Sequence, residues 1–167
     1  MAGEAAAIDV TTLLSTCVDA AGRGCAEIRR VQKARDEAAS DDESAFVVTR
    51  KVASDPRSAL TEADVAAQSA IVSALKARWP TVKIVGEEDE NDAAAPMSPK
   101  RGAPLREDLC AAIETCDDAR LRTMRVKSED VTVFIDPVDG TREFVESRLR
   151  AVQCLSLIHI SEPTRQA

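Results

Sequence analysis

The sequence predicts an α+β domain built from layered helices and strands. Apolar residues recur every three or four positions from Ile8 to Arg35 and again from Thr61 to Trp79, the period of a helix with one buried face. Between and after these segments come short β-prone runs, "FVVTRKV" (46–52), "TVKIVG" (81–86) and "DVTVFI" (130–135), so helix and strand alternate along the chain. The 167 residues, 44% hydrophobic and 31% charged, are enough for one domain with a real core.

The first helix is marked by Val10, Leu14, Cys17, Ala21, Cys25, Ile28 and Val31. Gly22 and Gly24 interrupt it, as expected where another element packs closely. The acidic "DEAASDDES" (36–44) reads as a loop leading to the 46–52 strand, and "SDPRS" (54–58) as a turn. The second helix stops at Pro80, because proline cannot continue it. "EEDENDAAAPMSPKRGAP" (87–104) holds three prolines and reads as a loop. Leu105, Leu109, Ile113 and Cys116 then mark a shorter helix, and "ARLRTMRVKSE" (119–129) a basic, solvated connector before the last strand. No internal repeat is visible.

Composition excludes several classes of function. The net charge is -7, from 29 acidic and 22 basic side chains, which disfavours a nucleic-acid polymer or an anionic membrane as partner. It suits a chain that concentrates divalent cations. The five cysteines (Cys17, Cys25, Cys110, Cys116, Cys154) form no C-x-x-C and no zinc-like pattern, so unpaired thiols in a reducing compartment are expected. The start, "MAGEAAAIDVTTLL", has no basic n-region, and no run approaches the ~20 apolar residues of a membrane span. A cytoplasmic location is the expectation.

The informative stretch is "VFIDPVDGTREF" (133–144). Its apolar run delivers two aspartates, Asp136 and Asp139, which at about 4 Å would repel by about 4 kcal/mol at an effective dielectric near 20. Two further acidic places stand beside regular elements: Glu87 and Glu88 after the "TVKIVG" strand, and Asp64 in what reads as the first turn of the second helix. Each also has an ordinary explanation. Thr61-x-x-Asp64 is a capping box, "GEED" a solvated loop and "DPVDGT" a turn. As a set they favour a metal site, since carboxylates at strand ends converge on a sheet edge and magnesium is held by a few carboxylates, water and phosphate. A divalent ion would reverse the sign of the Asp136–Asp139 repulsion. Gly140 and Thr141 would offer backbone N–H groups to a phosphate if a helix starts there. The D-x-D-G-T nucleophile motif of haloacid-dehalogenase phosphatases is rejected, because here the spacing is D-x-x-D. In an extended segment the extra residue turns the second side chain to the opposite face.

"LTEADVAAQ" (60–68), "IVGEED" (84–89) and "FIDPVDGT" (134–141), in that order, resemble the magnesium-dependent, lithium-sensitive phosphatases of the inositol monophosphatase superfamily. "SALTEADVAAQSAIVSALKARWP" and "DPVDGTREF" look most like the 3'(2'),5'-bisphosphate nucleotidases within it. The resemblance spans Ile8 to Cys154 and implies a layered sugar-phosphatase fold, of which this chain carries the N-terminal half. It implies two or three Mg2+ ions. Glu87, Asp136 and the Val138 backbone carbonyl would hold the first ion, Asp136 and Asp139 would share the second, and Asp64 with Thr141 would orient and deprotonate the attacking water. The implied substrate is 3'-phosphoadenosine 5'-phosphate or an analogue, cleaved to AMP and phosphate, an activity linked to sulfate assimilation. An inositol or other sugar phosphate is the alternative substrate, and a non-catalytic metal-binding module the alternative of another class. Oligomeric state is left open.

The family pattern stops near Cys154, before its second half and a further metal-binding aspartate. "LSLIHISEPTR" looks like a translated sequencing adapter joined in frame near Leu155, with a short native strand "LSLI" as the other reading. Residues 1–154 are thus expected to be the N-terminal part of the phosphatase domain and 155–167 a non-native tail. His159, the lone histidine, is assigned no chemistry, and the chain by itself is expected to be inactive and weakly stable.

Overall fold

A computed structural model of the chain describes residues 7–40, 56–87, 106–115 and 117–161. Strand β1 (Ala7–Asp9) runs directly into helix α1 (Val10–Ser40). Ile8 is therefore a strand residue, and the helix starts two residues later than its spacing predicts. Asp9 makes the junction: its Oδ1 accepts the Thr12 amide at 2.7 Å, and its Oδ2 lies 2.5 Å from the Arg125 guanidinium. Burial pushes the Asp9 carboxyl up, but hydrogen bonds from Thr12 and Thr11 and the Arg125 charge outweigh it, leaving the pKa below its ordinary 3.8. Asp9→Ala is expected to cost about 1 kcal/mol near neutral pH, the usual loss of a helix cap. A carboxylate with a lowered folded pKa stabilises above its unfolded value, and that stability is lost as pH falls through the folded one. Urea titrations should therefore show the gap between Asp9→Ala and the parent closing below pH 3.8.

α1 continues through Asp36–Ser40, where sequence predicts a loop. Ion pairs along its exposed side, Asp19–Arg23 at 2.9 Å and Glu37–Lys33 at 3.6 Å, add small increments at helical spacing. Of its two glycines only Gly24 is a close-packing point. A Cβ there would sit 2.9 Å from both Cys154 Sγ and Ile71 Cδ1, whereas Gly22 faces open space.

Helix α2 spans Pro56–Arg78. It begins five residues before Thr61, because proline at a first helical position has its φ already set and lacks only an amide that would be unbonded anyway. Thr61-x-x-Asp64 therefore cannot be a capping box, and the "SDPRS" turn is already helical from Pro56. Strand β2 (Lys83–Gly86) follows as expected. Helix α3 (Glu107–Glu114) is shorter than its apolar spacing predicts, and Leu105 and Cys116 fall outside the described residues. The "FVVTRKV" strand and nearly all of the 87–104 loop do so as well. The basic connector is more ordered than expected: helix α4 (Ala119–Thr123), capped by Asp118, leads into strand β3 (Arg125–Lys127). β3 pairs antiparallel with β1, and Arg125 lies opposite Asp9.

Strand β4 (Val131–Asp139) is the centre of a three-stranded sheet in the order β2-β4-β5, with β2 parallel and β5 (Gln153–Ile160) antiparallel. Val131, Val133 and Ile135 face the helices and meet Leu13, Cys17 and Ala20 of α1 and Ile71, Ala74 and Leu75 of α2 in one core. A second cluster joins Ile28 and Val31 of α1, Ala63 and Ala67 of α2, Val138 and Phe144. The other sheet face leaves Phe134 and its partner Leu157 uncovered, the latter 66% exposed. Residues 155–160, within the tail expected to be non-native, form most of β5, and 162–167 lie outside the described residues. Among the described residues no helix is long and apolar enough to cross a membrane.

Candidate active site

Both aspartates belong to β4 itself, rather than following it, and a bulge separates them. Asp136 pairs with Leu155 and Asp139 with Gln153, so three steps on β4 match two on β5. The extra residue resets the alternation. Pro137 and Val138 are buried, and Asp139 returns to the face that carries Asp136. The two aspartates therefore do not lie on opposite faces, as the D-x-x-D spacing predicts for an extended segment, because the bulge resets the alternation. Proline is tolerated at this place because a bulge needs no ladder hydrogen bond from it.

Asp136 is half-buried, and its Oδ1 is fully buried with no hydrogen-bond partner among the described residues. A buried carboxylate oxygen without a donor is costly. Its charge reaches Cys154: burial pushes that thiol up to about 12, with Cys25 and then Asp136 adding to the effect. Cys17, deeper in the core, is pushed up by burial to about 11. The four described cysteines carry free thiols.

Parallel pairing places Gly86 opposite Ile135, and the Glu87 amide donates to the Ile135 carbonyl at 3.1 Å. Glu87 thus leaves the end of β2 beside Asp136, with its side chain exposed. Glu88 lies outside the described residues. Asp64 is buried in the third turn of α2. One helical turn further, on the same face, the Gln68 carboxamide fills the space where a Cβ of Gly86 would stand. Ala63 and Ala67 share a cluster with Val138 and Phe144. Asp64 is therefore carried on the part of α2 that packs against the bulge.

After Asp139 the chain turns through Gly140, with φ 97 and ψ 41, into helix α5 (Thr141–Val145). A Cβ on Gly140 would lie 2.9 Å from the Ala151 carbonyl oxygen, so both conformation and space demand glycine. The Gly140 carbonyl accepts the Phe144 amide at 2.9 Å, and Thr141 is exposed at the helix start. Val138 points its side chain into the second core cluster.

A profile of the inositol monophosphatase family matches residues 9–164. The chain belongs to this family. It is 29% identical over 154 residues to 3'(2'),5'-bisphosphate nucleotidase 1 of Dictyostelium discoideum, covering 92% of the chain and 43% of that protein. To the human Golgi-resident adenosine 3',5'-bisphosphate 3'-phosphatase it is 29% identical over 160 residues, covering 96% of the chain and 40% of the relative. Inositol monophosphatase 3 of Xenopus tropicalis is 28% identical over 160 residues, covering 92% and 39%. The chain thus spans about two fifths of the length of these relatives.

An inositol monophosphatase family member implies a bound metal, and the residues present fit one. The buried, undonated Asp136 Oδ1 and the bulge that puts Asp139 on the same face offer a hard cation what it prefers. No group of three or more His, Cys, Asp or Glu side chains among the described residues is close enough to form a cage. Magnesium does not require one, since it commonly keeps several waters and takes only one or two carboxylates.

Arg142 bonds Glu146 at 2.8 Å, Arg148 pairs with Glu143 at 3.6 Å, and Arg125 is engaged with Asp9. Arg120, Arg122 and Lys127 are exposed, as is His159, opposite Thr132. Trp79 packs against the main core. Sequence reasoning missed Gln68 and Gly86. A glutamine four residues after Asp64 and a glycine just before Glu87 were the available signals.

Proposed function

We propose that this chain carries the acidic half of the active site of a magnesium-dependent phosphatase. The reaction is hydrolysis of a phosphate monoester, removing the 3'-phosphate of 3'-phosphoadenosine 5'-phosphate to give AMP and inorganic phosphate. The observation that carries this reading is the β4 bulge, which sets Asp136 and Asp139 on one face and leaves a buried Asp136 oxygen undonated. Glu87, Asp136 and the Val138 carbonyl would hold one ion, and Asp136 with Asp139 a second. When bound, the metal supplies positive charge for the phosphoryl oxygens and acidifies water. Asp64 and Thr141 orient the attacking water, and Asp64 accepts its proton. The Gly140 and Thr141 amides meet the phosphate. A nucleotide substrate is favoured by the names of two of the relatives, and an inositol phosphate by that of the third. The enzyme's place is the cytoplasm, and lithium inhibits it by occupying a metal site.

The test uses the gene resequenced past Cys154 and expressed beside the 167-residue chain. Magnesium-dependent phosphate release is measured on the 3'-phosphorylated nucleotide and on inositol monophosphate. The longer protein should prefer the nucleotide, and the short chain should show little turnover. Asp64→Asn in the longer protein should lower kcat by about 10²–10⁴-fold, the range for a lost general base, while sparing most metal affinity. Unchanged turnover in that variant would point to a metal-binding module without catalysis.

A further inference from the structure

Helix α1 grips the far end of the Asp139–Ser147 segment through a polar clamp. Buried Gln32 donates Nε2 to Ser147 Oγ at 3.0 Å and to Asp36 Oδ1 at 2.7 Å. Arg35 donates Nη2 to the Val145 carbonyl at 2.9 Å and Nη1 to the Phe144 carbonyl at 3.4 Å. Carbonyls at a helix end have no partner within the helix, so a side-chain donor there fixes where the helix stops. Ser147 is held at φ 58, the single non-glycine with positive φ among the described residues, a conformation that persists only where its surroundings impose it. The Arg148 amide closes the same turn on the Glu143 carbonyl at 2.7 Å. Gln32 Oε1 meanwhile stays buried with no hydrogen-bond partner among the described residues.

From these contacts we infer that Arg35 and Gln32 are positioning residues for Asp139 and Thr141. Resting on the metal reading given above, the inference extends it to two side chains that touch neither metal nor substrate. At the near end Gly140 turns the chain so close to the Ala151 carbonyl that no Cβ would fit, and at the far end the clamp holds it. Only five helical residues lie between them, so slack at Val145 passes to Thr141 and Asp139.

The test compares Arg35→Met, Arg35→Lys and Gln32→Leu with the parent 167-residue chain. Amide exchange is followed residue by residue, manganese affinity is read by electron paramagnetic resonance, and urea titration monitors global stability. Arg35→Met should speed exchange at Phe144, Glu146, Ser147 and Arg148 by about tenfold or more and weaken manganese binding by roughly fivefold to tenfold. Arg35→Lys, which keeps the charge and one donor, should fall between. Exchange in β4 and the middle of α2 should keep its parental rate once corrected for stability. Manganese affinity within twofold of the parent in both Arg35→Met and Gln32→Leu overturns the inference. So does equal loosening of β4, which would make the clamp ordinary framework. If the parent binds no manganese, or if Asp136→Asn binds as well as the parent, the metal reading itself fails and the positioning role falls with it.

Discussion

Asp136→Asn is expected to move two measurements in opposite directions. Binding of magnesium or manganese should weaken by about 100-fold or more, because the variant removes a buried carboxylate oxygen that has no donor among the described residues and places a neutral amide in its stead. Stability without metal should rise by an amount on the order of 1 kcal/mol, since an undonated buried carboxylate oxygen disappears. Thermal unfolding with and without metal reads both effects. The parent should gain about 2.7 kcal/mol at a metal concentration of about a hundred times Kd. The variant should gain no more than about 0.4 kcal/mol at that concentration. Asp139→Asn, on the exposed side of the bulge, should weaken metal binding with less effect on stability in its absence. If Asp136→Asn were destabilised without metal and still bound it normally, Asp136 would be a structural residue whose donor lies elsewhere.

How much of this was legible in the residues depends on whether the signal was local. α1, α2, β2 and β4 follow from apolar spacing, because each buries one face against the others and that period is written in neighbouring side chains. Their boundaries were less legible. Pro56 can open a helix or make a turn, and Asp36–Ser40 can continue a helix or leave it, with tertiary packing deciding in both cases. β1 and β3 were missed because three-residue strands carry too short a pattern, and each is defined by the other across more than a hundred residues. Asp64, Glu87 and the Asp136/Asp139 pair were picked out by residue type at element ends. Where those residues sit was not legible, because the bulge depends on β5 supplying one residue fewer than β4. Gln32, Arg35 and Ser147 gave no local sign at all. Their meaning is a contact between α1 and a turn more than a hundred residues away.

Phe144→Ala should cost about 3–5 kcal/mol, the usual range for truncating a fully buried aromatic ring. The ring is the largest of the fully buried side chains among the described residues and lies among Ile28 and Val31 of α1, Ala63 and Ala67 of α2, and Val138 of β4. Every element that carries a candidate site residue, except β2, meets at this ring. Val138 precedes Asp139, Ala63 precedes Asp64, and Phe144 itself follows Thr141 by three residues. The two alanines matter as much as the phenylalanine, since larger side chains on α2 would fill the space the ring occupies. Emptying it removes the floor beneath the bulge and the α5 turn together. Against a total stability of 5–15 kcal/mol for an ordinary domain, that loss is a large fraction. Phe144→Leu should recover much of it, because the leucine keeps an apolar branch in the cavity. Urea midpoints for the two variants, with metal affinity measured where both remain folded, separate packing from position. If Phe144→Leu is nearly as stable as the parent yet binds manganese several-fold more weakly, ring shape sets the turn. A Phe144→Ala protein no less stable than its parent would mean that the second core cluster does not form in solution, and the argument that Asp64 lies against the bulge would lose its packing support.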